Sequence, residues 1–352
     1  MFGTFRLFLA LLVLLTHSGL NAGSFYQGTM AVIVFYAISG YVISFLLEQR
    51  LETVNARTFY LERIVRVYPQ FVLHLVLAAL VILAFQPDSR YAKAAISPET
   101  ILLNLSLFPL QAKAFSAYIE SAMYVPTSWS LSLEASFYLI VPFLVRYRMS
   151  TLAAVISFAI FSLAVLGAIK THTYSYATIF GTLQFFIMGM WLERRRYVHL
   201  GIWCAAMIGL GVLVQVYASW KPPHVEETFA GAAVSLAGIL LLRNLRNKKL
   251  LPLDEFLGRI SYPVFLNHFL LMWAMDGLGM DYSTAAGRTM LVIFSLLTAS
   301  IAYLAMERPL TNFRRSLRNP SGVIAGESPA GPGHFTDQAQ TRQKAQAFRE
   351  GA

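Results

Sequence analysis

The chain has 352 residues, of which 57% are hydrophobic and 13% charged, and its mean hydropathy is +0.57. Soluble globular domains are roughly 45–50% apolar and about 25% charged, so this composition excludes an ordinary soluble fold. A net charge of +10 suits either nucleic acid or a membrane surface, and the positions of the charges must decide between them. The single cysteine, Cys204, excludes an internal disulfide and a cysteine-based metal cluster.

The apolar residues gather in stretches long enough to cross a bilayer, which takes roughly 20 mostly apolar residues. They predict an all-α, polytopic integral membrane bundle of about ten transmembrane helices. Residues 99–110 are too short and too polar to span, and they are predicted as an interfacial helix. The predicted spans are residues 5–21, 28–47, 70–86, 129–147, 151–169, 176–193, 197–218, 227–243, 259–277 and 287–306.

The first stretch also has features of a signal peptide, because Arg6 precedes a run of Leu, Ala and Val. However, the run contains His17 and lacks a clean small-x-small cleavage site. A second span also follows it at once. We therefore expect a retained helix.

Basic residues indicate the orientation. If the N-terminus is cytoplasmic and the spans alternate, the inside loops hold eighteen Lys and Arg residues and the outside loops six. The bias predicts both termini in the cytoplasm and a multi-pass protein of the cell (inner, cytoplasmic) membrane. It also accounts for the positive charge without nucleic acid. The six outside residues are Arg90, Lys93, Lys113, Lys170, Lys221 and Arg288.

The composition changes near the C-terminus. Residues 1–310 are predicted as the membrane domain, and residues 311–352 as a basic juxtamembrane segment followed by a cytoplasmic tail. From Asn319 the chain is rich in Gly, Ala, Pro, Gln and Ser. Such a segment buries too little apolar surface to offset its ordering entropy, so we expect the tail to be disordered.

Ionisable residues within membrane spans are candidates for function because burying them is costly. Arg6 and His17 are about three helical turns apart, so they share a face and are separated by roughly 16 Å along the axis. Arg6 is expected at the cytoplasmic interface and His17 in the outer half of the bilayer. The alternative is a snorkelling arginine and a histidine bonded to a backbone carbonyl.

A second polar group precedes the third span. Arg63 and Arg66 in segment 59–69 are one turn apart and are expected to face the cytoplasmic surface, with Tyr68-Pro69 ending the loop. They are either ordinary positive-inside charges or a phosphate clamp, since arginine presents several donors in a fixed fork.

Segment 127–142 places Ser130, Glu134 and Tyr138 four residues apart, on one helix face. Glu134 and His17 are each predicted a few residues from the outer end of their spans, so they share an outer layer. Glu134 is predicted either to orient the imidazole of His17 or to serve as a structural hydrogen-bonding group.

Two further segments carry polar groups. Ser261, Tyr262 and His268 lie in segment 257–271, and Ser261 shares a face with His268, which is placed near mid-membrane. For His268 a structural and a chemical role are both open. Ser39-Gly40 is predicted as a point of close helix packing.

These segments occur in an order that resembles the membrane acyltransferase-3 family. The resemblance covers roughly residues 1–310 and rests on Arg6-x10-His17, FYAISGYVISFLL, Arg63-x-x-Arg66 with Tyr68-Pro69, TSWSLSLEASFY and LGRISYPVFLNH. It implies O-acylation of a polysaccharide, lipopolysaccharide, peptidoglycan or smaller glycoside. The sequence departs from the family at Phe265, where many members have tyrosine.

The resemblance also implies the donor and the site. The donor would be an acyl-CoA, usually acetyl-CoA, used as co-substrate from the cytoplasmic side with no permanently bound cofactor or metal. His17 would be the essential histidine, and Arg6, Arg63 and Arg66 would handle the donor. Chemically, His17 can act as a base or carry the acyl group, with Ser130, Tyr138, Ser261, Tyr262 and His268 as possible supporting residues.

The sequence also suggests an acceptor and one rival function. Outer loops, chiefly residues 87–128, are expected to contact a glycan or lipid-linked saccharide acceptor, and the oligomeric state is not predicted. The rival is a proton-coupled transporter in which the buried His and Glu relay protons. The absence of inverted-repeat symmetry counts against it, as does the pair of cytoplasmic arginines.

Overall fold

The computed structural model describes residues 2–48, 56–217, 224–243, 245 and 250–310. In this part of the chain the regular structure is helical, and an isolated bridge joins Ala22 and Phe25. The α-helices are α1 (Phe2–His17), α2 (Gln27–Glu48), α3 (Ala56–Phe85), α4 (Pro98–Ser106), α5 (Ala117–Ser121), α6 (Ser128–Arg146), α7 (Ser150–Val165), α8 (Ile179–Glu193), α9 (Tyr197–Tyr217), α10 (Val225–Leu242), α11 (Leu251–Gly277) and α12 (Ala285–Ala302).

The helices confirm an all-α, multi-pass membrane architecture, because a helix occupies each of the ten predicted spans. Within the described ranges, six helices are long and apolar enough to cross a membrane, and three shorter apolar helices (α1, α7 and α8) accompany them. Their apolar side chains cover much of the surface, as expected when lipid replaces water around a bundle.

Helix α3 is longer than predicted. It begins at Ala56 and continues through Pro69 to Phe85, so Arg63 and Arg66 lie on a helix and the prediction of a loop before residue 70 was wrong. The polar residues at the start of α3 form helix as readily as the apolar ones that follow. The low hydropathy of residues 56–69 therefore predicted an exposed loop, whereas these residues form the first turns of α3 within the bundle.

The predicted interfacial segment 99–110 is divided. Helix α4 ends at Ser106, Leu107 takes a left-handed backbone conformation (φ 60°), and a 3₁₀ helix runs from Phe108 to Ala114. Ser97 caps the start of α4 by accepting a hydrogen bond from the Thr100 amide. This segment positions Lys113 beside Trp129, at the start of α6.

Helix packing depends on close backbone approaches. Helix α2 packs most extensively against α8, and α1 against α11. A Cβ atom on Gly40 would lie 1.8 Å from the carbonyl oxygen of Phe186, and one on Gly189 would lie 2.0 Å from that of Ala37. Only glycine allows this approach, which confirms Ser39-Gly40 as a close-packing point.

Helices α1 and α11 run parallel. At the start of α1, the amides of Gly3 and Thr4 donate to the Asp254 carboxylate over 3.2 and 2.8 Å. At its other end, His17 meets His268. The described residues up to Arg308 form one compact unit, and residues 311–352, predicted as the juxtamembrane segment and tail, lie outside the described residues.

Candidate active site

A cavity whose lining includes charged, polar and aromatic side chains lies among α1, α2, α3, α6 and α11, and its space together with its open mouth is about 720 Å³. Its charged lining residues are three arginines and one glutamate, so the lining carries an excess of positive charge that favours an anionic ligand. Polar and aromatic side chains complete the wall. The lining includes Arg6, Ser39, Arg63, Arg66, Ser130, Glu134, Tyr138, Ser261, Tyr262 and Phe265.

The arginines reach the cavity from two helices. Arg6 lies in the second turn of α1, and its Nε atom is buried with no hydrogen-bond partner among the described residues. Arg63 and Arg66 lie one turn apart on α3, and both line the cavity as the spacing predicted. Arg63 is only 4% exposed, so the expectation that it faces the cytoplasmic surface was wrong.

Arg63 is held by neighbours of two kinds. Its guanidinium donates to Glu62 over 3.2 Å, and it lies 5.7 Å from the centre of the Tyr138 ring. An ion pair combined with an aromatic contact keeps a buried guanidinium in one orientation.

Glu134 joins α6 to α2. Its Oε1 atom accepts hydrogen bonds from the Ser39 hydroxyl and from the Tyr138 hydroxyl one turn along α6. The predicted face of Ser130, Glu134 and Tyr138 is confirmed, because all three line the cavity.

The predicted contact between Glu134 and His17 is not formed. The prediction that they share an outer layer was wrong, because Glu134 lines the same cavity as Arg6, which is roughly 16 Å from His17 along α1. Glu134 on α6 bonds to Ser39 of α2, whereas His17 at the end of α1 meets His268 of α11. The carboxylate therefore belongs to the arginine-lined cavity, and the imidazole has a different partner.

That partner is His268. His17 Nδ1 and His268 Nε2 lie 2.9 Å apart, and the two ring planes are within 15° of each other. Nearly coplanar rings suit a hydrogen bond, because imidazole lone pairs lie in the ring plane. His268 is fully buried, whereas His17 keeps an accessible surface.

A second contact of His268 indicates which of its ring nitrogens carries the hydrogen. Its Nδ1 atom lies 3.3 Å from the carbonyl oxygen of Val264, which only accepts hydrogen bonds. A neutral His268 therefore carries its hydrogen on Nδ1, and its Nε2 atom accepts from His17.

Three further predicted residues donate hydrogen bonds to backbone carbonyl groups. Ser130 donates to the Thr127 carbonyl (2.9 Å) and Ser261 to the Gly258 carbonyl (2.8 Å). The Tyr262 hydroxyl donates to the Val67 carbonyl over 3.1 Å and so ties α11 to α3.

The histidine pair lies just beyond the cavity. Phe265 lines the cavity, and its ring centre is 6.3 Å from that of His268, one turn further along α11. The predicted residues thus form a cationic cavity and an adjacent histidine pair. The sequence interpretation missed Ser39 as a partner of Glu134, although its place beside a close-packing glycine brings it near other helices.

Comparison with known proteins identifies the family of this chain. A family model described as "Acyltransferase domain", that of the acyltransferase-3 family, matches residues 3–307. The "Exopolysaccharide production protein ExoZ" of Rhizobium meliloti (strain 1021) is 24% identical over 320 residues, covering 88% of this chain and 98% of that protein. An "Uncharacterized protein" of Aquifex aeolicus (strain VF5) is 28% identical over 189 residues, covering 51% of this chain and 83% of its own length.

No solved structure gives a significant match. The family model spans nearly all of the described helices, including every residue of the cavity and the histidine pair. This chain therefore belongs to the acyltransferase-3 family and is a multi-pass membrane acyltransferase.

Proposed function

We propose that this acyltransferase moves an acetyl group from acetyl-CoA, bound from the cytoplasmic side of the inner membrane, to a hydroxyl of an exported or cell-surface saccharide. The observation that carries the proposal is the arginine-lined cavity next to an accessible, hydrogen-bonded histidine. Anion binding and a base are the two elements that such a transfer needs.

The arginines suit the phosphates of CoA. Arginine binds phosphate oxygens through two parallel N–H donors, and buried pairs of this kind are among the stronger hydrogen bonds in proteins. Arg6 contributes a buried Nε donor that no described residue satisfies. A ligand that supplies an oxygen at this point removes an otherwise costly unpaired donor.

The positions of Arg6 and His17 suggest how acetyl-CoA would lie in the protein. Arg6 and His17 lie on the same helix, roughly 16 Å apart along its axis. With the phosphates at the arginines, the extended pantetheine arm would carry the thioester past Phe265 toward His17. Phe265 has no hydroxyl, so this stretch of the path offers an apolar ring where many family members offer tyrosine.

His268 prepares His17 to act as a base. Because His268 Nε2 accepts, His17 carries its hydrogen on Nδ1, and its Nε2 keeps the lone pair. The exposed edge of the ring is therefore the basic one. His268 is a positioning residue in this scheme, and it has the role that we had expected of Glu134.

The transfer passes through a tetrahedral intermediate. His17 Nε2 removes the proton of the acceptor hydroxyl while the oxygen forms a bond to the thioester carbonyl carbon. The tetrahedral oxyanion re-forms the carbonyl, the C–S bond breaks, and the leaving thiolate takes the proton from His17. The products are an acetyl ester and free CoA. Glu134, fixed by Ser39 and Tyr138, offsets part of the positive charge of the cavity.

The saccharide acceptor is supported by the comparison with the Rhizobium meliloti protein, whose name refers to exopolysaccharide production. The predicted orientation also places His17 at the outer end of α1, on the side where an exported saccharide arrives.

Transfer of radiolabelled acetyl groups from acetyl-CoA to glycan in membrane vesicles tests the proposal. His17→Ala should lower turnover roughly 10²–10⁴-fold, the range of general-base contributions. The matched control is His74→Gln, since His74 is also buried and its ring bonds only to the Gln70 carbonyl among the described residues. Normal turnover in a well-inserted His17→Ala protein would refute the assignment.

A further inference from the structure

Lys113 lies at the outer end of the bundle in an aromatic cage. Its Nζ atom is 4.4 Å from the centre of the Trp129 ring and 6.0 Å from that of Tyr91. Both rings are within the range at which a cation interacts with an aromatic face. We call Lys113, Trp129 and Tyr91 the lysine cage.

The cage holds a charge without a counter-ion. Among the described residues, no carboxylate lies within ion-pair distance of Lys113, and its Nζ atom makes no hydrogen bond. The neighbouring outer cations differ, because Arg90 pairs with Glu120 (3.7 Å) and Lys93 with Asp88 (4.0 Å).

The lysine is nonetheless positively charged at neutral pH. Burial, together with the nearby Arg90, lowers its pKa to about 8, although Glu120 opposes the shift. The ammonium form therefore predominates at pH 7. A half-buried cation that is held by rings alone can still gain a charge-assisted hydrogen bond from a ligand.

The cage is connected to the histidine pair through aromatic contacts. The Tyr91 ring is 5.6 Å from that of Phe269, and the Phe269 ring is 4.8 Å from that of His17. Lys113 and Arg90 are close enough to interact electrostatically with His17. The cage thus lies on the same side of the bundle as the accessible imidazole, with the Phe269 ring between Tyr91 and His17.

The aromatic surface also extends away from the cage. The Trp129 ring lies 5.0 Å from Tyr176, and Tyr176 lies 5.8 Å from His224. Rings with a few polar groups at their edges are the usual lining of small-molecule sites. An extended row of them fits a ligand longer than one sugar.

We infer that the lysine cage binds an anionic group of the acceptor, so that the acceptor is a negatively charged saccharide or saccharide–lipid rather than an uncharged one. The anion is either a carboxylate on a sugar or a pyrophosphate that links the sugar to a lipid carrier. Binding at Lys113 then sets which hydroxyl reaches His17. This inference rests on the proposed function, because it names the class of acceptor for the same site.

Equilibrium binding to the purified protein tests the inference with three probes. These are methyl glucuronide, its neutral counterpart methyl glucoside, and geranyl pyrophosphate. We expect at least one anionic probe to bind roughly tenfold or more tightly than the glucoside, as a charged hydrogen bond allows. Lys113→Gln should abolish this preference, and Lys113→Arg should retain it.

Lys93→Gln is the matched control, because Lys93 is another outer-loop lysine but is exposed and pairs with Asp88. Preference for the glucuronide identifies a sugar carboxylate, and preference for geranyl pyrophosphate identifies the lipid-linked anion. Equal binding of all three probes to the wild type, or a preference that survives Lys113→Gln, would overturn the inference.

Failure of the inference is distinguishable from failure of the proposed function. Lys113→Gln should leave the thermal stabilisation by CoA unchanged, since the arginines are untouched. If the wild type transfers acetyl groups but shows no anionic preference, only the inference about Lys113 fails. If the wild type transfers none from acetyl-CoA, the proposed function fails.

Discussion

His17 Nδ1 and His268 Nε2 lie 2.9 Å apart although 251 residues separate them in the chain. The contact depends on the parallel packing of α1 and α11, which also joins Thr4 to Asp254 at the other end of α1. A carbonyl contact from Val264 then fixes the hydrogen of His268. Helix packing thus determines which nitrogen of His17 is basic.

Replacing His268 should impair catalysis without impairing donor binding. His268→Leu removes the acceptor for His17 Nδ1–H, and we expect kcat to fall roughly 10–100-fold, the range seen when a hydrogen-bond partner that orients a metal-bound histidine is lost. The KM for acetyl-CoA should stay unchanged, because the cavity arginines are untouched. Steady-state kinetics in membrane vesicles measure both constants.

His268→Gln separates orientation from simple packing. A glutamine side chain offers an oxygen that can accept the same hydrogen, so this variant should recover part of the lost kcat. If Leu and Gln at this position reduce kcat equally, or if KM changes instead, His268 does not orient His17.

Arg6 should matter for donor binding. Arg6→Gln removes a charged donor from the cavity, and we expect the Kd of CoA to rise roughly tenfold or more. Dephospho-CoA, which lacks one phosphate, identifies which anionic group each arginine binds. Isothermal titration with purified protein gives these constants.

Arg259→Gln is the control for this experiment. Arg259 lies near the start of the predicted span in α11. It pairs with Glu255 on the same helix (3.7 Å), lies 5.8 Å from the centre of the Tyr303 ring, and does not line the cavity. Equal CoA affinity in Arg6→Gln and the wild type would remove Arg6 from the donor site.

The sequence predicted the fold well because lipid imposes a simple pattern. A bilayer requires long apolar helices, so hydropathy located every described span. Hydropathy did not predict that residues 56–69 belong to α3, because this part of the helix is polar although Arg63 is buried in the bundle. Hydropathy measures how strongly a segment prefers lipid. The start of α3 has little such preference, because it places Arg63 and Arg66 in the cavity.

The sequence predicted which residues belong to the site but not which of them contact each other. Helical spacing correctly placed Ser130, Glu134 and Tyr138 on one face. Spacing within one helix carries no information about the rotation of its neighbours, so it could not show that Glu134 meets Ser39 and that His17 meets His268. Contacts between helices far apart in sequence require the packed structure.

Gly40 should be intolerant of any side chain. Its α-carbon faces the backbone of α8, where a Cβ atom would lie 1.8 Å from the Phe186 carbonyl oxygen. Gly40→Val should therefore force α2 and α8 apart and destabilise the fold by about 1–3 kcal/mol, the usual cost of overpacking. A lower melting temperature in detergent would show the effect.

Gly209→Ala serves as the control, because no atom lies within 4 Å of a Cβ at that position on α9. Alanine in a helix interior is more favourable than glycine, so this variant should melt at the same or a higher temperature. Unchanged stability in Gly40→Val would contradict the close packing of α2 on α8.

Asp254 should stabilise α1 in a pH-dependent way. It precedes the apolar part of α11 and accepts from the Gly3 and Thr4 amides and the Thr4 hydroxyl. Burial raises the pKa of its carboxyl, but these hydrogen bonds outweigh burial and hold the pKa below its usual value. Asp254→Ala should therefore cost about 0.5–2 kcal/mol at neutral pH, as for loss of a helix cap.

The sign of the pH dependence follows from the lowered pKa. A carboxyl with a lower pKa in the folded state stabilises the fold above its unfolded pKa of about 3.9, and that contribution is lost as the pH falls toward the folded value. The difference in melting temperature between wild type and Asp254→Ala should thus be full at pH 7 and shrink below about pH 4. Asp276→Ala, an exposed carboxylate on the same helix, should melt like the wild type throughout. A difference that stays constant across this range would mean that Asp254 acts through packing rather than charge, and that the ionised carboxylate does not hold the end of α1 against α11.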